Sequence, residues 1–246
     1  MMLPGPVELL DYDVRPGIAK ARRPTGGLLL LHGLGEDKSS LQPLGDLLCP
    51  AGSVAVYPSL RAHGTSPKPA WGYSPWDFTA DLQRIAGALP DRLHLVGFSY
   101  GALVAAAFAV ALGPHRVRSL VLLDQSFEAC PWKAIAGSDG EDFRPEEVFR
   151  RELVYLKWGF DHRHLLSMAA AAGIPTLTVL ARRSHVVSPS ERRRRLLAGS
   201  SQRQMVRVLD TDHRGLVSDV SRLAALLEDF YRRTEQVEES RDGHAD

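Results

Sequence analysis

The sequence predicts an α/β fold, a mostly parallel sheet covered by helices on both faces. Short apolar runs alternate with longer segments of helical period along most of the chain. The clearest run, Gly27-Leu28-Leu29-Leu30-Leu31, is apolar throughout, as a strand buried on both faces should be. Glycine and proline mark the stops, as in His32-Gly33-Leu34-Gly35 and Gly113-Pro114.

Taken in order, Gly27 to Leu31 is a strand, Ser39 to Leu48 a helix, and Ser53 to Tyr57 the next strand. Trp76 to Leu89 reads as a helix ended by Pro90, and Arg92 to Val96 as a strand. Ala102 to Leu112 is a helix apolar all round, hence a buried one. Val117 to Leu123 is a further strand ending at Asp124. From Gln125 to Gly173 the strand pattern stops and aromatics appear (Phe127, Trp132, Phe143, Phe149, Tyr155, Trp158, Phe160). We read residues 125–173 as an inserted helical lid on a core formed by 1–124 and 174–234. Strands resume at Pro175 to Leu180 and Met205 to Leu209, and a final helix covers Val217 to Arg233. Residues 235–246 are polar and charged, the composition of a disordered tail.

Composition narrows the partners. A formal net charge of +1 across 246 residues gives no electrostatic case for nucleic acid or an anionic membrane. The start carries neither a basic nor an apolar leader segment, and the longest apolar stretch, Ala102 to Leu112, is about half of what a bilayer requires. The two cysteines, Cys49 and Cys130, lack metal-site spacing. The expectation is a cytoplasmic protein with no metal or organic cofactor.

Chemistry enters at Gly97-Phe98-Ser99-Tyr100-Gly101, a G-x-S-x-G pattern lying between a strand and a buried helix. Such a turn must be very tight, and flanking glycines remove the Cβ atoms that would clash there. It would hold Ser99 in strained geometry at a helix N-terminus, where the dipole and free N–H groups favour developing negative charge. Leu31-His32-Gly33-Leu34 and Arg61-Ala62-His63-Gly64-Thr65-Ser66 stand in register upstream.

With these motifs the chain resembles the α/β-hydrolase superfamily over nearly its whole length. That resemblance implies a mostly parallel eight-stranded sheet flanked by helices with a small helical lid. It implies Ser99 as nucleophile and the backbone N–H groups of Leu34 and Tyr100 as an oxyanion hole. The stretch from Arg61 to Ser66 would be structural. Of the nine histidines, His213 lies after the last strand pattern and before the final helix, where the family carries its general base. A serine hydroxyl needs such a base to become nucleophilic.

The acid departs from the family's usual pattern. Where a carboxylate is expected after the penultimate strand, this chain has Ser184 in Ala181-Arg182-Arg183-Ser184-His185-Val186-Val187. Asp124, at the end of the strand after the nucleophile, is the replacement we name, because functional groups gather at such strand ends. Asp212, Asp210 and Glu191 remain alternatives, as does a Ser-His dyad. Trp132 and Leu216, near the site in sequence, are candidate substrate-binding residues. Arg192-Arg193-Arg194-Arg195 reads as a solvated helix face.

The resemblance implies hydrolysis of a carboxylic ester or a related thioester or lactone of a small acyl substrate. The rival is a ligand-binding protein or non-hydrolytic catalyst on the same fold, with Ser184 its best support. Homodimerisation is open.

Overall fold

A computed structural model of the chain describes residues 6–19, 26–130, 152, 156–199, 201 and 203–242. The strands are β1 (Tyr12–Pro16), β2 (Gly27–Leu31), β3 (Val54–Pro58), β4 (Leu93–Phe98), β5 (Val117–Leu123), β6 (Thr176–Arg183) and β7 (Gln204–Asp212). The helices are α1 (Gln42–Leu48), α2 (Pro75–Arg84), α3 (Tyr100–Leu112), α4 (Arg163–Ala171), α5 (Pro189–Ala198), α6 (Gly215–Ser218) and α7 (Val220–Asp242).

The strands form one sheet in the order β1-β3-β2-β4-β5-β6-β7. Only β1 runs antiparallel, pairing Tyr12 with Pro58 through Pro16 with Val54. The sheet therefore has seven strands among the described residues, where eight were expected. Its two edges are β1 and β7, and residues 6–11 before β1 form no strand.

Side-chain alternation divides the core into two layers. Leu29 and Leu31 of β2, with Leu120 and Leu122 of β5, face one cluster that includes Phe78 of α2, Leu103 and Phe108 of α3, and Leu165 of α4. Leu28, Leu30, Val121 and Leu123 face the other, which includes Leu44 and Leu48 of α1 and Leu227 and Phe230 of α7. Helix α3 lies buried from Tyr100 through Ala109, as its uniformly apolar sequence predicts. Its run of alanines lets the helix approach the sheet closely.

Helix α2 starts where its sequence provides a stop for the backbone donors. Ser74 and Asp77 form a reciprocal capping box and Pro75 takes a first-turn position. Behind it, Arg61 is fully buried and meets both oxygens of Asp81, at 2.7 Å from Nε and 2.6 Å from Nη2. This pair anchors the loop after β3, in keeping with a structural role for that motif.

One segment differs from the sequence reading. The last helix continues to Asp242, where a tail was expected from residue 235. Glu235, at the point where the tail was expected to begin, is buried against the fold, and the preceding turn carries the pairs of Asp229 with Arg232 and Arg233. Of residues 125–173, α4 packs on α3 in the main core. Phe127 is buried there too, while Trp132, Phe143, Phe149 and Tyr155 lie outside the described residues. No helix among the described residues is long and apolar enough to cross a membrane.

Candidate active site

Strand β4 runs into α3 through Ser99, which has φ 51° and ψ −124° and is 5% exposed. A non-glycine residue at positive φ is strained and persists only where its surroundings hold it. They do so on both sides. A Cβ on Gly97 would lie 2.3 Å from the Gly101 carbonyl oxygen. One on Gly101 would lie 2.2 Å from the Leu31 carbonyl oxygen. The Ser99 N–H donates to Leu123 O at 2.8 Å, tying the turn to β5.

Tyr100 is the first residue of α3, so its N–H has no partner within the helix. Its phenol is turned away into the core, donating to Tyr73 O at 2.9 Å and packing edge-on against Phe78. Burial pushes that phenol well above its usual range. The loop after β2 closes on the serine from the other side, with the Gly33 Cβ position 3.2 Å from Ser99 Cβ. Leu34 follows it, half-buried against the core.

His32 holds this loop in place. Its Nδ1 donates to Gly33 O at 2.7 Å, and its Nε2 accepts the Leu60 N–H at 2.9 Å. That bond requires an unprotonated Nε2, and burial lowers the pKa of His32 to about 4.

His213 follows β7 directly and is 8% exposed. Its Nδ1 lies 2.7 Å from Asp124 Oδ2. Asp124, fully buried at the end of β5, has φ 46°, and its other oxygen accepts the Ala181 N–H at 2.9 Å. The Asp124 N–H donates to Val179 O at 2.8 Å. Backbone on both sides thus fixes the carboxylate. Phe98, the chain neighbour of Ser99, stacks on the His213 imidazole with ring centroids 4.8 Å apart.

The other carboxylates named from sequence are engaged elsewhere. Asp210 is exposed beside Arg183, at 2.7 Å. Asp212 Oδ1 accepts the Gly215 N–H at the start of α6. Glu191 is buried, accepting from Ser126 Oγ at 2.6 Å and Phe127 N–H at 3.1 Å, and ion-paired with Arg195 at 2.8 Å. Ser184 uses its hydroxyl to accept the N–H groups of Val186 and Val187, each at 3.0 Å, and so closes the turn after β6.

Leu216 is buried in the core cluster beneath α6, alongside Phe98. Trp132 lies outside the described residues. The four arginines are not one solvated face. Arg195 packs its guanidinium over Phe127, and Arg192 donates to Ala181 O at 2.8 Å. Arg194 meets Glu128, and Arg193 is exposed.

Two residues at this site were not singled out from the sequence, Phe98 under the imidazole and His185 edge-on to it, while Glu191, named as an alternative acid, instead braces the loop after Asp124. Each acts through a contact made only when distant strands pair. Among the described residues no group of three or more His, Cys, Asp or Glu side chains is placed to hold a metal.

Comparison with known proteins agrees with this architecture. A family model described as alpha/beta hydrolase fold matches residues 27–143. No curated protein sequence matches the chain. Among solved structures, an enol-lactonase from Burkholderia xenovorans LB400 is similar with a TM-score of 0.66 and 18% identity, covering 90% of this chain and 95% of its own. The thioesterase domain from the curacin biosynthetic pathway is similar with a TM-score of 0.63 and 19% identity, over 89% of this chain and 95% of that one. A thermophilic esterase from Thermogutta terrifontis has a TM-score of 0.63 and 18% identity, over 92% and 93%. Identities this low speak to fold alone. In sequence over residues 27–143 and in structure over most of its length, this chain is an alpha/beta hydrolase in fold.

Proposed function

We propose that the chain is a serine hydrolase acting on a carboxylic ester or a related acyl bond, with Ser99 as nucleophile, His213 as general base and Asp124 as the acid. The observation that carries this reading is the 2.7 Å contact between His213 Nδ1 and Asp124 Oδ2. It commits Nδ1 to the carboxylate and leaves Nε2 as the nitrogen for proton transfer.

In the reaction, His213 Nε2 takes the Ser99 Oγ proton as Oγ attacks the carbonyl carbon. Negative charge gathers on the substrate oxygen, which accepts from the N–H groups of Leu34 and Tyr100. Imidazolium then gives its proton to the leaving alcohol or thiol as that bond breaks. Water enters, loses a proton to Nε2 and attacks the acyl-enzyme. Collapse of the second tetrahedral intermediate frees the acid and returns the proton to Ser99. Asp124 stays ionised throughout and stabilises the imidazolium. Loss of one oxyanion donor typically costs about 100- to 1,000-fold in rate.

The names of structural neighbours, an esterase, a thioesterase and an enol-lactonase, fit this class of bond. They do not choose among its members. The test is intact-mass analysis after treatment with a fluorophosphonate, using wild type, Ser99→Ala and His213→Ala. One adduct on wild type and none on either variant supports the reading, and an ester, thioester and lactone panel then selects the bond. A folded wild type that takes no label overturns it and favours a ligand-binding role.

A further inference from the structure

We propose that His185 is a positioning residue for His213, an inclined ring partner that adds to the stacked contact of the imidazole with Phe98. The inference rests on the reading above that His213 is the base. His185 stands in the turn after β6, one residue past the position where the family's acid was expected. Parallel pairing of β6 with β7 sets Arg183 beside Asp212, so the residues that follow on each strand emerge together. The His185 ring meets the His213 ring with centroids 5.0 Å apart and planes inclined by 76°. His213 also has Phe98 at 4.8 Å and 28°, close to parallel. The imidazole therefore has a face-on partner from β4 and an edge-on partner from the β6 turn, with Asp124 on Nδ1.

Each contact removes a different freedom. Asp124 fixes which ring nitrogen points inward, but a single hydrogen bond leaves rotation about its own axis. Stacking on Phe98 limits tilt in one direction only. An edge from His185 limits the other, and aromatic pairs favour such inclined geometry. The placement of His185 also explains what the turn gains by using serine at 184. Ser184 binds two backbone amides and fixes the path of the turn, which aims the next side chain at His213. His185 itself is exposed, so its contact with His213 is not part of the packed core.

The test compares wild type with His185→Ala, His185→Phe and His185→Gln. The readouts are the rate of fluorophosphonate labelling of Ser99 and the separate kcat and KM for p-nitrophenyl acetate. We expect His185→Ala and His185→Gln to label about three- to tenfold more slowly, the span that loss of one aromatic pair represents. The deficit should fall on kcat with KM unmoved, and His185→Phe should restore it. Wild-type rates in both His185→Ala and His185→Gln, or a His185→Phe as slow as they are, overturn the proposal. If His185→Ala does not fold, the contrast of His185→Gln with His185→Phe decides alone. A wild type that takes no label removes the reading of the reaction and this inference with it, whereas labelled wild type and equal variants remove only the inference.

Discussion

Asp124 and His213 are 89 residues apart in sequence and leave strands with β6 between them, yet the carboxylate of one lies 2.7 Å from Nδ1 of the other. The second carboxylate oxygen is held by the Ala181 amide, so the group cannot turn away from the imidazole without giving up a buried hydrogen bond.

Asp124→Asn keeps the shape and removes the charge. Its amide can still accept from Ala181, so the thermal midpoint should move little, while kcat and labelling of Ser99 should fall by about 1,000- to 10,000-fold. Adding Ser184→Asp tests whether the turn after β6 can carry the acid instead. An aspartate there can still accept the Val186 and Val187 amides, so we expect partial recovery of kcat. Full activity in Asp124→Asn alone would remove Asp124 from the mechanism.

Gly101→Ala should be among the most damaging small changes in the chain. The new methyl would lie 2.2 Å from the Leu31 carbonyl oxygen and 2.4 Å from that of His32, with no flexible side chain to yield. We expect a loss of more than about 3 kcal/mol in chemical denaturation, or no soluble protein. A stable, active Gly101→Ala would mean that α3 can slide away from β2.

Acid should destabilise the fold through His32. Its pKa in the folded chain is about 4 against an ordinary 6.5, so between those values the unfolded chain binds a proton that the folded chain refuses. The contribution is complete above pH 6.5 and is lost as the pH falls toward 4, about 3 kcal/mol over the window. His32→Gln can accept the Leu60 amide without titrating. The fall in thermal midpoint between pH 7 and pH 4.5 should therefore be smaller in that variant than in wild type, and equal slopes would count against His32 as the source.

Glu191 and Arg195 should show strong coupling. Glu191→Gln removes the charge that compensates a guanidinium held over Phe127, and leaving a buried charge unpaired costs about 3 to 5 kcal/mol. Arg195→Met in the same chain should recover part of that loss. Additive effects in a double-mutant cycle would mean that the pair acts independently.

Most of the fold was legible in the sequence because its strands are continuous apolar runs. Leu28 to Leu31 and Leu120 to Leu123 divide by alternation between two cores, and such runs have few other ways to be buried. The elbow was legible for a similar reason, since glycines at 97 and 101 answer a steric demand that is local. Asp124 could be named from the sequence, but the bond that singles it out from Asp210, Asp212 and Glu191 could not. Asp210 pairs with Arg183 of β6, Glu191 with the loop after Asp124 and with Arg195, and Asp212 with the Gly215 amide. His185 and Phe98 were illegible for the same reason, because register between β6 and β7 sets one and the stacking of a non-local ring sets the other. The end of α7 was missed because residues after 234 have the polar, charged composition of a tail, although Glu235 there is buried in the fold.

The sheet order separates the three side chains into unequal company. Ser99 and Asp124 leave adjacent central strands joined by the Ser99 amide and the Leu123 carbonyl, 2.8 Å apart. His213 arrives from β7, an edge strand. Sheet margins open at lower free energy than centres do. Warming should thus part the histidine from an otherwise undisturbed serine and carboxylate, and the protein would fall silent, reversibly, while its interior stayed intact.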